Sequence, residues 1–260
     1  MKSTSFRRAI VPTVAVLALA LTACGGQDVD GNSAGTSGTV VVDGSSTVEP
    51  MSAAAAELLV ATDALTIVAH KDLAVDCLTT DQVIKLWEPG SKVTNWKQLD
   101  PSFPDVKISL FGPGTDSGTY DYLAADVIGH ESEQTRDDYE ASEDDNVLVQ
   151  GVSGTKGATG YFGFTYYEQN ADVLKALKID DGKGCVEPSV ESAQAGEYTP
   201  LARPLFIYVS NKSYTDSAAA KEYVDFYIAN LARIAEAAQF IPLSEELYGE
   251  TKSALDGISG

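Results

Sequence analysis

Apolar positions along the chain fall into short runs separated by glycine, serine and acidic stretches, and most runs repeat one order: strand, small-residue turn, helix. Thr39-Val40-Val41-Val42-Asp43 is a β-branched run closed by Gly44, and after Ser45-Ser46-Thr47 the positions Val48, Met51, Ala55, Leu58 and Leu59 recur at helical spacing. Residues 64–69 read as a second strand. Thr79 or Thr80 can cap a helix that runs to about Trp87, where Pro89-Gly90 stops it. Residues 106–111 alternate as a strand does, Gly112-Pro113-Gly114-Thr115-Asp116 is a turn, and from Ser117 a helix carries Tyr120, Leu123, Ala124, Val127 and Ile128 on one face. Residues 158–164 and 205–209 are further strand candidates. A long amphipathic helix then follows, with Tyr223, Phe226, Tyr227 and Ile234 expected inward. Strands alternating with helices predict an α/β fold with helices on the sheet faces. The acidic stretch 131–146 reads as a solvated surface segment around a solitary Arg136.

The first residues follow a different pattern. Lys2, Arg7 and Arg8 precede an almost wholly apolar stretch from 9 to 22, and Leu21-Thr22-Ala23-Cys24 sets small residues before a cysteine. At about 14 residues the run is too short to span a ~30 Å hydrocarbon layer as a helix. It reads as a signal peptide over residues 1–23, and the motif resembles a lipobox, which implies acylation of Cys24 and a lipid anchor at the outer face of the cytoplasmic membrane. From Cys24 to residue 38 the composition is Gly, Ser and polar, that of a flexible tether.

Formal net charge is −20 at pH 7; loss of residues 1–23 removes three of 18 basic residues and no acidic one, which leaves −23. Nucleic-acid partners are disfavoured, because they require a basic footprint. An anionic ligand gains no long-range attraction either, and must be held by local hydrogen bonds. Cys77 and Cys185 remain once Cys24 is set aside; an even pair in an oxidising compartment reads as a disulfide, with two lone thiols as the alternative. His70 and His130 have no Cys or His at ligand spacing, so neither a metal nor another cofactor is expected.

Two turns share one chemistry. Gly44-Ser45-Ser46-Thr47 and Asp116-Ser117-Gly118-Thr119 each set hydroxyls where a strand gives way to a helix, beside amide groups that the first helical turn leaves unpaired. Such a place can cradle an anion, although Ser and Thr are also the ordinary residues for capping a helix. The strings Val41-Val42-Asp43-Gly44-Ser45-Ser46-Thr47-Val48 and Gly112-Pro113-Gly114-Thr115-Asp116-Ser117-Gly118-Thr119, with the stretch from Asp144-Asp145-Asn146 to Gly160-Tyr161-Phe162-Gly163, resemble the phosphate-binding lipoproteins of bacterial high-affinity phosphate ABC importers. The likeness runs from about residue 39 to 245.

The resemblance implies a two-lobed periplasmic-binding-protein fold of type II, with phosphate gripped between the lobes and passed to membrane permease subunits. Ser46, Thr47 and the Val48 amide would form one cradle, and Ser117, Gly118 and Thr119 the other. Relatives also place an arginine shortly before the second serine. Gly112-Pro113-Gly114 fills that place here, so Arg136 is the candidate replacement, its fork suited to two phosphate oxygens. The pieces around Cys77 and Cys185 resemble a family pair. On this reading 39–70 is the remnant of a first lobe, 71–200 a second lobe, and 201–260 the return to the first with C-terminal helices. The first lobe is shortened, because Leu59-Val60-Ala61-Thr62-Asp63 runs directly into the strand at 64–69, where relatives carry a further unit of roughly 30 residues or more with a third hydroxyl turn and a carboxylate. Weakened phosphate binding is the expectation; a surface lipoprotein for adhesion or signalling, or a binder of another oxyanion, is the alternative. Catalysis is not expected. Asp116-Ser117-Gly118-Thr119 has no second copy to make a shared-proton carboxylate pair, and no Gly-x-Ser-x-Gly string or phosphate-binding Walker loop occurs.

Overall fold

The computed structural model describes Val40, 55–129 and 134–258. The expected signal peptide, Cys24, the tether, the strand at 39–43 apart from Val40, the cradle of Ser46, Thr47 and Val48, and His130 lie outside the described residues.

In chain order, strand β1 (Ala55–His70) leads to β2 (Cys77–Thr79) and helix α1 (Thr80–Trp87), then to β3 (Ser109–Gly112) and α2 (Gly118–Asp121). The helix α2 continues as a π-helical stretch, Tyr122–Ile128, closed by Gly129 in the left-handed conformation. There follow β4 (Glu140–Ala141), α3 (Asp145–Gly154), β5 (Ala158–Gly163), α4 (Phe164–Gln169), β6 (Leu174–Ala176), β7 (Lys178–Asp180), β8 (Cys185–Val186) and α5 (Val190–Gln194). The chain closes with β9 (Ala202–Ser210), α6 (Asn211–Asp216), α7 (Ala218–Ala229), α8 (Leu231–Ala237) and α9 (Glu245–Ile258).

An open six-stranded sheet runs in the order β4-β3-β5-β1-β6, with β9 added to β1; β2, β7 and β8 form a separate three-stranded sheet. The α/β expectation is met. The sheet is organised by β1, whose first half, Ala55–Ala64, pairs antiparallel with β9, while its second half pairs with β5 over Leu65–Ala69 and with β6 over Val68–His70. Each half meets its own core. Leu58 and Val60 pack with Val209, Tyr214, Val224, Ile228, Leu231 and Leu255. Beyond them Leu65, Ile67 and Ala69 join a larger cluster around Trp87, Trp96 and Tyr161, while Val68 joins a third with Leu148, Val152 and Phe162. Leu65 to Ala69 are all buried, as a strand flanked on both faces must be.

Several local expectations hold. Thr79 caps α1 with a full capping box to Gln82, and α1 ends at Trp87. Tyr120, Leu123, Ala124 and Val127 face the core as the helical spacing predicts, although most of that face is carried by the π-helical stretch.

Three expectations are corrected. The helix expected to run through Ala55, Leu58 and Leu59 is strand there: nine residues of β1 find register with β9, and that pairing overrides the helix propensity of the alanine run. The expected long amphipathic helix is two helices divided at Asn230, and its inward face is aliphatic. Val224, Ile228, Leu231 and Ala235 are buried, whereas Tyr223 is 43% and Phe226 64% exposed. Leu205 and Ile207 of β9 pack against that aliphatic stripe together with Tyr227, which does face inward as expected, while Tyr223 and Phe226 are turned outward. The stretch 131–146 is no uniformly solvated segment, because Thr135 and Arg136 are buried.

Cys77 and Cys185 form a disulfide across a sequence separation of 108 residues, tying β2 to β8 on either side of β7. Such a crosslink stabilises chiefly by restricting the unfolded chain. Replacing both cysteines with serine is expected to cost about 2–4 kcal/mol, read as a lower urea midpoint of the full chain, with no further loss on adding reductant to the variant.

Candidate functional site

The described half of the expected site is built around the turn between β3 and α2. Pro113 and Gly114 cannot continue the strand pairing, so the chain leaves β3 at Gly112 and turns into Ser117. Ser117 is extended and caps α2, its Oγ accepting a hydrogen bond from the Thr119 N–H at 3.2 Å. Gly118 is exposed, and Ser117 and Thr119 are half-buried. The turn therefore presents small hydroxyls and backbone amides at the surface.

Two aromatic contacts fix its position. Tyr139 donates its hydroxyl to the Pro113 carbonyl at 2.7 Å, and the Tyr120 hydroxyl accepts from the Thr135 N–H at 3.3 Å. Behind them Tyr161 and Trp87 pack edge to face at 4.7 Å, and Trp87 meets Tyr139 at 5.5 Å. Burial, with the neighbouring Tyr139 and Tyr120, pushes the Tyr161 hydroxyl well above its ordinary range. A Cβ on Gly112 would lie 2.8 Å from Tyr161 Cε1, so glycine is what lets the strand end against this aromatic wall. On the solvent side Glu143 Oε1 accepts weakly from the Asp116 N–H at 3.4 Å and occupies the place a Cβ on Gly114 would take. Nearby Asp145 has its carboxyl raised, by burial first and then by Asp144 and Glu143.

Arg136 is brought beside this turn through the Tyr120–Thr135 contact, but it is not an open anion receptor. Its side chain is 2% exposed. Nη1 donates to the Leu86 and Val93 carbonyls, both at 3.0 Å, and Nε and Nη2 hold Asp138 at 2.6 and 2.9 Å. A guanidinium has five N–H donors, so one on Nη2 is without a partner among the described residues. The fork from Arg136 holds the Asp138 carboxyl below its ordinary range.

A second cation at the turn escaped the sequence reading. Arg203, at the start of β9, pairs through Nε with Asp63 of β1 at 3.1 Å, lies 4.2 Å over the Tyr122 ring, and reaches the Gly118 carbonyl with Nη2 at 3.5 Å. Burial raises the Asp63 carboxyl although Arg203 opposes it. The available signal was an acid in the middle of the largely apolar β1 and the single cation of β9. Among the described residues no group of three or more His, Cys, Asp and Glu side chains could hold a metal ion.

A family model described as a PBP superfamily domain matches residues 52–230. The chain belongs to the PBP superfamily. Within it, this PBP-superfamily chain is 45% identical over 195 residues to Protein SphX of Synechocystis sp., covering 74% of this chain and 58% of that protein. It is 37% identical over 194 residues to the phosphate-binding protein PstS of Staphylococcus haemolyticus, covering 74% of this chain and 59% of that one. The crystal structure of a protein described as a possible phosphate binding protein from Planctomyces limnophilus is similar with a TM-score of 0.75 at 36% identity, over 82% of this chain and 76% of that one. The chain thus spans about three-fifths of the length of the curated relatives it matches.

The buried clamp of Arg136 is testable by stability. Arg136→Met leaves two buried carbonyls unpaired and is expected to cost about 2–4 kcal/mol in urea unfolding. The Asp138 carboxyl is depressed in the folded chain, so its contribution is complete above the ordinary carboxylate range and is lost as pH falls through the depressed value. Wild-type acid unfolding should therefore show a component below about pH 4 that Asp138→Asn lacks.

Proposed function

We propose that this chain binds inorganic phosphate outside the cytoplasmic membrane and delivers it to an ABC permease, held at the membrane by a lipid on Cys24. The observation that carries the reading is the Ser117-Gly118-Thr119 turn, open to solvent and braced against the buried Arg136 segment. Its support is the kinship with phosphate-binding proteins across three-quarters of the chain. A strongly acidic protein can hold an anion only where hydrogen-bond donors converge locally, and this turn supplies backbone amides and the hydroxyls of Ser117 and Thr119.

On this reading Ser46, Thr47 and Val48 form the opposing cradle, with 39–70 and 201–260 as one lobe and 71–200 as the other. Binding then works by differential affinity. Only an arrangement in which both cradles reach the anion satisfies all its oxygens, and that arrangement is what the permease subunits would meet. The role on this reading is binding, in keeping with the Ser117 hydroxyl accepting from the Thr119 amide as a helix cap does. The uninterrupted course of β1 through residues 57–64 leaves no place there for the extra unit expected of relatives, which favours a weakened site.

Isothermal titration of the full chain in detergent tests the reading. Saturable phosphate binding is expected, weaker than about 1 μM and stronger than for sulfate. Thr119→Val and Ser117→Ala should each weaken it by about tenfold, because each removes a donor from the turn. Absence of phosphate binding up to about 10 mM would overturn the proposal.

A further inference from the structure

We infer that Asp63 and Arg203 form a strap that positions and polarises the Ser117–Thr119 turn, which makes Arg203 a positioning residue of the phosphate site. The inference rests on the phosphate reading above.

Asp63 and Arg203 are cross-strand partners in the register of β1 with β9, so the strand pairing itself sets their ion pair. From that anchor the guanidinium extends along one face of the helical stretch that the turn begins. It meets the Gly118 carbonyl at 3.5 Å, covers the Tyr122 ring at 4.2 Å and comes within 4.0 Å of Asp126. Positions 118, 122 and 126 are four apart, so a single cation braces three successive turns. Tyr122 adds a second tie to the same strand, donating its hydroxyl to the Pro200 carbonyl just before β9. The far side of the turn is held by Tyr120 on Thr135 and Tyr139 on Pro113. Without these ties a four-residue helix has little stability of its own.

The contact with Gly118 has a second effect. The carbonyl of Gly118 and the N–H of Thr119 belong to one peptide unit. A guanidinium donating to the oxygen draws electron density through that unit and strengthens the N–H as a donor. That N–H rests on Ser117 Oγ at 3.2 Å and is one of the amides the turn would offer an anion. Arg203 thus adds positive charge behind the peptide while its own fork stays on Asp63 and Tyr122. Burying Asp63, whose side chain is 13% exposed, is costly enough that burial raises its carboxyl even beside Arg203. An apolar pair would fill the same strand positions at lower cost, so the charges have a purpose beyond packing.

The test compares Arg203→Gln, Arg203→Lys and Asp63→Asn with a control, Arg233→Gln, which removes an exposed cation elsewhere. All are measured as full chains in detergent, by titration with inorganic phosphate and by amide hydrogen exchange without it. Arg203→Gln is expected to weaken phosphate binding by about tenfold or more, with Arg203→Lys intermediate and Arg233→Gln unchanged. Exchange should quicken at residues 118–122 and not at 159–163 of β5. Phosphate affinity within about twofold of wild type in Arg203→Gln would overturn the inference. If Arg203→Gln does not fold, Asp63→Asn and Arg203→Lys decide by the same criteria. If the wild type binds no phosphate, the phosphate reading fails and exchange alone judges the strap: local quickening supports it, and an unchanged 118–122 sinks it.

Discussion

The pairing of β1 with three other strands is the constraint on which the rest of the structure depends. This strand of 16 residues serves one neighbour over its first half and two others over its second. Because side chains alternate along a strand, a slip of one residue against β9 would turn Leu58 and Val60 out of their core and carry Glu57 and Leu59 in. The same slip would separate Asp63 from Arg203, and through Arg203 would loosen the helical stretch that begins at Gly118. Register, core and candidate site are therefore set together.

Where one residue type has one strong local use, the chain could be read directly. Thr79 or Thr80 before Asp81 and Gln82 reads as a cap, and Pro89-Gly90 as a stop, so α1 was legible, with Thr79 as the cap. The alternation of β3 and the aromatic, glycine-rich run of β5 were legible for the same reason. Residues 55–59 were not. An alanine-rich segment carries helix propensity in its composition, while the partner that makes it a strand lies some 140 residues away, beyond the reach of any local pattern. The helices after β9 failed on a different point: aliphatic and aromatic stripes both repeat at helical spacing there, and only the surface of β9 selects between them.

The candidate turn was legible as a motif, while the side-chain network around it was not. Ser117, Gly118 and Thr119 stand where a strand-to-helix turn requires small hydroxyl residues, and the structure places them so. Arg136 is the candidate replacement for the family arginine by its fork, yet that guanidinium is largely spent on Asp138 and two carbonyls that come from other elements. Arg203 was passed over because nothing in Leu201-Ala202-Arg203-Pro204-Leu205 names its partners, which sit on β1 and on the stretch after α2. Both cases have one cause: a long cation is defined by what it reaches, and reach is a property of the fold.

The separation of β1 from β9 also sets a schedule for synthesis. At ~5–20 residues per second, the 140 residues between Asp63 and Arg203 delay the closing strand by roughly 7 to 30 s after β1 has emerged. Throughout that interval the first half of β1, with Leu58 and Val60, has no native partner strand. A nascent chain in that state is a substrate for holding chaperones, and it stays in the unfolded form that can still be threaded through a narrow channel.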